Sequence, residues 1–250
     1  MGRNNKGDIE SGFRENIYIN NNARDQLYPT MLESPQLRWA FIRKVYAILC
    51  MQMLLTTAVA ATVVFVRPIP NFITHTTSGI VVYIFLCLLP FILLIPLYYF
   101  HKSHPLNLLL LTLFTITIAF AVGLACAFTK GRIILEATIL TSVVVFGLTL
   151  YTFWAVKRGK DFTFLGPFLF ASLLVLLVFG LIQIFLPLGK ISVMVYSGLA
   201  ALIFCGFIVF DTNNMIKRYN YDDYIWAAVS LYLDVVNLFM VLVTFFDAAD

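Results

Sequence analysis

Seven stretches of this chain are apolar over the ~20 residues that a helix needs to cross the hydrocarbon core of a bilayer at ~1.5 Å rise per residue. They run Tyr46–Val66, Gly79–Phe100, Pro105–Phe128, Ile133–Val156, Phe162–Leu188, Ile191–Asp211 and Ile225–Phe246. Short breaks carrying charge or turn residues separate them, such as Arg67-Pro68-Ile69-Pro70-Asn71, Lys157-Arg158-Gly159-Lys160-Asp161 and Lys217-Arg218-Tyr219-Asn220. A membrane barrel alternates apolar and polar residues over ~10-residue segments. These stretches are apolar on all sides, and irregular backbone cannot face lipid, so helices follow. The expected fold is all-α and polytopic, with seven transmembrane helices over residues 46–250. The last span, which carries Asp234 and Asn237, can also be drawn as re-entrant; its length favours crossing.

Composition agrees. Only 12% of the residues are charged and 61% are hydrophobic, against ~25% and ~45–50% in soluble domains. Residues 1–45 hold 12 of the 30 charged side chains, so this stretch reads as a largely disordered cytosolic tail. It is too polar for a cleavable signal. The balance excludes an ordinary soluble domain, and a net charge of +4 spread this way is no basic patch for nucleic acid. The cysteines Cys50, Cys87, Cys126 and Cys205 all fall inside spans and form no disulfide framework.

Cytoplasmic loops are enriched in Lys and Arg. Nine such residues (Arg38, Arg43, Lys44, Lys102, Lys157, Arg158, Lys160, Lys217, Arg218) lie on the N-terminal side of the bundle. Four (Arg67, Lys130, Arg132, Lys190) lie on the other. The N-terminus is therefore expected in the cytosol, in an endomembrane (endoplasmic reticulum, Golgi or vacuole) or the plasma membrane. Trp39, Trp154 and Trp226 all fall at cytosolic helix ends, where an indole suits the interface.

Ionisable residues inside a membrane are costly and are functional candidates by default. Glu136 follows Arg132 by four residues, which an i,i+4 ion pair explains. Asp247 reaches the interface. Asp211 and Asp234 differ. Asp211 lies six residues before Lys217, or ~9 Å in, and Asp234 eight residues after Trp226, or ~12 Å in. The two share a depth on helices joined by a short loop, and neither span carries a basic residue between its ends. Ser230, Asp234, Asn237 and Thr244 recur at helical spacing, giving the last span a polar face expected to look into the bundle, with Thr212 beside Asp211.

Two facing carboxyls admit three chemistries. They can bind a hard cation such as Ca²⁺, share a proton because both cannot ionise at close range, or activate water as an aspartyl protease does. The cation and proton readings combine into a pH-sensitive pathway for calcium ions. The protease reading wants glycine beside its aspartates; here the contexts are Phe210-Asp211 and Leu233-Asp234. No catalytic residue and no cofactor other than a calcium ion is assigned. A regulatory scaffold that binds other membrane proteins is a further alternative, with Gly123, Ala125, Gly198 and Ala201 allowing close helix packing.

The run Phe207-Ile208-Val209-Phe210-Asp211-Thr212, the basic pair Lys217-Arg218, Tyr221-Asp222-Asp223-Tyr224, and then Ala227-Ala228-Val229-Ser230-Leu231-Tyr232-Leu233-Asp234-Val235-Val236-Asn237-Leu238-Phe239 resemble the C-terminal signature of the transmembrane BAX inhibitor motif family. The segment from Leu27-Tyr28-Pro29-Thr30 through Leu37-Arg38-Trp39-Ala40 to Val45-Tyr46 resembles its Lifeguard branch in plant form. The resemblance covers residues 27–250. It implies a BAX-inhibitor-1-like bundle with one central helix, and a calcium leak gated by protons at an aspartate pair, which falls on Asp211 and Asp234. It also implies suppression of programmed cell death through membrane-protein partners. Family members with a latch place a basic residue on the second helix. Here Gly79–Phe100 has no Lys or Arg, and only His101 and Lys102 follow it.

Overall fold

A computed structural model of the chain describes residues 35–186 and 189–250. Among them are eight α-helices: α1 Pro35–Phe65, α2 Pro68–His75, α3 Thr77–Phe100, α4 Leu106–Ala127, α5 Gly131–Lys157, α6 Leu165–Phe185, α7 Lys190–Lys217 and α8 Tyr224–Ala249. A 3₁₀ turn, Tyr221–Asp223, leads into α8. All except α2 are long and apolar enough to cross a membrane, as the apolar runs predicted. α8 is uninterrupted over 26 residues, or ~39 Å at helical rise, long enough to cross.

Two boundaries move. The tail drawn to residue 45 gives its last eleven residues to α1, which begins at Pro35. Arg38, Arg43 and Lys44 make this stretch look like solvated chain, yet Phe41, Ile42 and Val45 are buried among the other helices. The helix simply stands proud of the apolar core. The remaining tail, residues 1–34, lies outside the described residues. The break after the first span also holds α2, where Pro68 starts a helix because its missing N–H is not needed there. His75, placed in a loop by its sequence context, is in α2.

α8 is the central helix. It packs on α7, α5, α1 and α4, and buries Tyr224, Ala228, Tyr232, Val236 and Leu242 along its length. α3 and α6 are outermost, and their exposed Phe91, Ile95, Phe168 and Val175 are the lipid-facing surface. One large core joins Phe41 and Val45 of α1, Leu97 of α3, Phe114 of α4, Met215 of α7 and Tyr232 of α8. A second joins Ile133 and Ala137 of α5, Ile208 of α7 and Leu242 of α8.

Apolar helices gain little from leaving an apolar solvent, so close packing and interhelical hydrogen bonds must hold such a bundle. Both are present. Gly123 of α4 lies against Ala60 and Val63 of α1. Gln52 Nε2 donates to Thr115 Oγ1 at 3.1 Å, and Thr56 Oγ1 meets Tyr232 Oη at 2.8 Å, linking α1, α4 and α8 inside the membrane. Gly198 lies against Phe245, Ala201 packs in the second core and Ala125 lines a cavity.

The two ends differ. At the opposite end from Arg38, Lys130 pairs with Asp250, and Arg132 Nε pairs with Glu136 at 2.8 Å, as its spacing predicted. At the Arg38 end, Trp39 and Trp154 are exposed, beneath Lys157 and Arg158 respectively. Trp226 instead packs edge-on against Tyr98.

Candidate functional site

α7 and α8 form an antiparallel hairpin closed by a short turn, so residues equally far from that turn face each other. Asp211 and Asp234 are such residues. Their carboxyl groups lie within hydrogen-bonding reach of one another. Asp234 is only 6% exposed, and its Oδ2 has no other partner. Asp211 is half-buried and is also reached by the Asn214 side chain.

The other polar residues predicted for this face separate. Ser230, one turn before Asp234, donates to Trp226 O at 3.1 Å. Asn237, one turn after Asp234, opens into a cavity of about 760 Å³ between α3, α4 and α8. Its walls are otherwise mainly apolar: Ile80 and Pro90 of α3, Phe114 and Phe128 of α4, Val236 of α8. Thr212 is fully buried and lies near Tyr46 of α1. Thr244 is exposed and bonds back to Met240 O, so the polar face does not extend to it. A threonine hydroxyl satisfied by its own backbone costs little in lipid.

Several contributors were not legible in the sequence. Arg38 counted there only toward orientation. In the structure it is 6% exposed, its Nε donates to Ile216 O at 2.7 Å and its Nη1 donates to Tyr219 O, so it caps the C-terminus of α7 from α1. A cation there also suits the negative end of the helix dipole. Burial pushes the Tyr219 phenol up to about 12, with Asp211, Asp223 and Asp234 adding to the shift. It therefore stays neutral. Asn213 is fully buried and donates to Asp161 Oδ1 at 3.1 Å. The Gln52–Thr56 pair at i,i+4 in an apolar span was a signal that periodicity could have found; for Tyr219 there was none.

α3 carries no basic residue to set against the acid pair. At its end, His101 Nε2 and Lys102 Nζ instead stand 3.4 and 3.6 Å from Asp223, the residue before α8. His104 Nε2 lies 2.6 Å from Tyr224 Oη, and Asn107 Nδ2 donates to that hydroxyl at 3.1 Å. The α3–α4 connection is thus fastened to the first turn of the central helix, at the surface and not within the membrane. Among the described residues no three His, Cys, Asp or Glu side chains converge as a metal cage. Among the described residues, Asp234 Oδ2 and Asn214 Oδ1 are buried oxygens with no hydrogen-bond partner.

The fold and the site define a polytopic helical membrane protein with an acidic pair enclosed between its last two helices. Residues 38–250 match the family model described as Inhibitor of apoptosis-promoting Bax1, and the chain belongs to that family. It is 62% identical over 245 residues to Protein LIFEGUARD 4 of Arabidopsis thaliana, covering 98% of this chain and 96% of the other. It is 37% identical to Protein lifeguard 4 of Mus musculus over 217 residues, 87% of this chain and 88% of that one. It is also similar to the Golgi anti-apoptotic protein of Vaccinia virus (strain Lister), at 36% identity over 218 residues, 87% and 89% of the two chains. The resemblance stated from the two motif regions is the relationship found.

Proposed function

We propose that this protein is a pH-sensitive calcium leak that restrains programmed cell death, with Asp211 and Asp234 holding a proton and a calcium ion in turn. The observation that carries this reading is the contact between the two carboxyl groups. The pair with one shared proton has a single negative charge and draws α7 and α8 together. When the proton leaves, two carboxylates repel in a poorly solvated site, and a divalent cation neutralises them. Proton and Ca²⁺ thus compete for one place. Conduction wants a site that binds well enough to admit the ion and weakly enough to release it, which few oxygen ligands supply.

The cavity beside Asn237 supports an approach to the pair from the end opposite Arg38. The excess of Lys and Arg at the Arg38 end supports a cytosolic N-terminus, so that calcium would move toward the cytosol. The printed name of the viral relative, Golgi anti-apoptotic protein, supports an endomembrane address and the cell-death role. Membrane lipids surround the bundle, and other membrane proteins of cell-death control are its expected partners.

The test is Ca²⁺ flux through the purified full chain in liposomes over a pH series. Asp211→Asn and Asp234→Asn are each expected to change the flux and flatten its pH dependence, with elution and melting behaviour of a folded protein. Equal flux and an equal pH profile for all three proteins would overturn the reading.

A further inference from the structure

The cavity beside Asn237 is elongated. Along α4 its wall runs from Phe114 to Ala125, or ~17 Å at helical rise. That is close to the ~15 Å of one leaflet in a hydrocarbon core of ~30 Å. Pro90, which interrupts the hydrogen-bond ladder of α3, and the small side chains of Ala121 and Ala125, one turn apart on α4, leave room for it. Some of its wall residues, Ile80, Tyr83 and Phe91 of α3 and Phe128 just after α4, are also exposed at the surface that faces lipid. Molecules dissolved in the bilayer therefore reach the cavity sideways.

Among the described residues that line it, none is charged. The polar side chains are Tyr83 and Cys87, one turn apart on α3, and Asn237 on α8. Asn237 lies 13 residues after Tyr224 in a helix of 26, so it stands near the bilayer midplane. Among the described residues nothing hydrogen-bonds its side chain. The interior amides of Gln52 and Asn107, by contrast, donate to Thr115 and to Tyr224. An amide without a partner in hydrocarbon is costly. It both donates and accepts, so a hydroxyl, carbonyl or amide satisfies it. A charged head at that depth would have no counter-charge on the walls, which excludes a phospholipid head or a carboxylate. A bound water needs about two to four polar partners, and most of the wall offers none.

We propose that this cavity binds a single-chain neutral lipid, of the class of a long-chain alcohol, whose uncharged head hydrogen-bonds Asn237 and whose apolar body lies along α4. Small-molecule sites are usually apolar cavities of about 300–1,000 Å³ with a few placed polar groups, and this one, at about 760 Å³, has that form. The walls supply affinity and the amide supplies selectivity, because a chain without a hydrogen-bonding head leaves Asn237 unpaired. Once filled, the cavity no longer offers ions a way past Asn237, so occupancy slows the leak. That consequence rests on the leak reading above; the binding does not.

The probe is 1-hexadecanol carrying a photoreactive diazirine at its far end, added to the purified full chain in phosphatidylcholine bilayers. Labelled peptides are identified by mass spectrometry. Label is expected on the α3, α4 and α8 walls, well above that on the lipid-facing α6. Unlabelled 1-hexadecanol should compete about three- to tenfold better than hexadecane, which has no head, or palmitate, which is charged; that is the scale of one hydrogen bond inside a membrane. Asn237→Leu, of similar size, should erase this preference, and Ala125→Phe, which fills the cavity, should remove the wall labelling. The two variants change different helices, so either one decides the matter if the other fails to fold. Label spread evenly over α3 and α6, or equal competition by the alcohol and hexadecane in the unmutated chain, overturns the proposal. So does labelling that falls as the protein is crowded in the bilayer, which would assign the cavity to a second copy. Selective labelling in a protein that carries no Ca²⁺ flux keeps the site and removes the leak; flux without selective labelling does the reverse. Selective labelling with flux that the alcohol does not slow keeps the site and takes the ion path out of the cavity.

Discussion

Two glycines in helix interiors, Gly123 and Gly147, should respond in opposite ways to the same substitution. A Cβ on Gly123 would stand 2.9 Å from Ala60 Cα and 2.9 Å from Val63 Cβ of α1. A Cβ on Gly147 of α5 meets nothing within 4 Å. Replacing glycine by alanine in a helix gains about 0.5–1 kcal/mol from backbone entropy. The gain falls to about 0–1 when the denatured state keeps its membrane helices. Gly147→Ala should show that gain alone. At Gly123 the clash is with backbone, so α1 must move as a body, and overpacking of this kind costs about 1–3 kcal/mol. Moving α1 also stretches the Gln52–Thr115 and Thr56–Tyr232 hydrogen bonds, now 3.1 and 2.8 Å. Gly123→Ala is therefore expected to be less stable than Gly147→Ala by about 1–3 kcal/mol. Gly123→Val should be worse still. Unfolding by dodecyl sulfate in mixed micelles measures the difference. If Gly123→Ala were as stable as Gly147→Ala, the close approach of α1 and α4 would be refuted.

Two further outcomes follow from the polar contacts. Tyr232→Phe removes the bond to Thr56, whose hydroxyl keeps Gln52 O at 2.8 Å. With no orphaned group left, the loss should be near the ~0.6–1.7 kcal/mol of a membrane hydrogen bond, read in the same titration. Burial opposes ionisation of Asp161, but the Thr163 hydroxyl and amide, the Asn213 amide and the Lys217 ammonium outweigh it and hold the carboxyl below its ordinary range. A depressed folded value stabilises the α5–α6 loop above the unfolded carboxyl pKa of about 3.9 and loses that contribution as pH falls below it. Amide exchange across residues 158–165 should then rise as pH drops from about 5 to about 3, relative to the intrinsic rate. Asp161→Asn should abolish that extra rise.

The acid pair was legible because it depends on few things: two carboxyls, similar distances from a short loop, and helices forced by the bilayer. Helical rise then sets depth, and depth sets proximity. The rest of the face was less legible because direction about the helix axis depends on where neighbours pack. Asn237 faces the cavity, Thr212 faces Tyr46 and Thr244 faces out, although spacing placed them together. Arg38 was hidden for a related reason. Charge near a helix end reads as solvated, and only the approach of α7 reveals carbonyls for it to meet.

The apolar runs by themselves determined seven helices long enough to cross, their order and the matching depth of two acids. They could do so because a bilayer leaves the backbone almost no alternative to helix. Lipid-facing and core-facing residues are alike in such spans, so no pattern could say which helix is central or which faces meet. Only the tertiary structure placed α8 at the centre and passed α1 within reach of the α7 terminus, where Arg38 meets the carbonyls of Ile216 and Tyr219. Those choices are made by close packing at Gly123 and by a few interhelical hydrogen bonds, which exist only once the helices have come together.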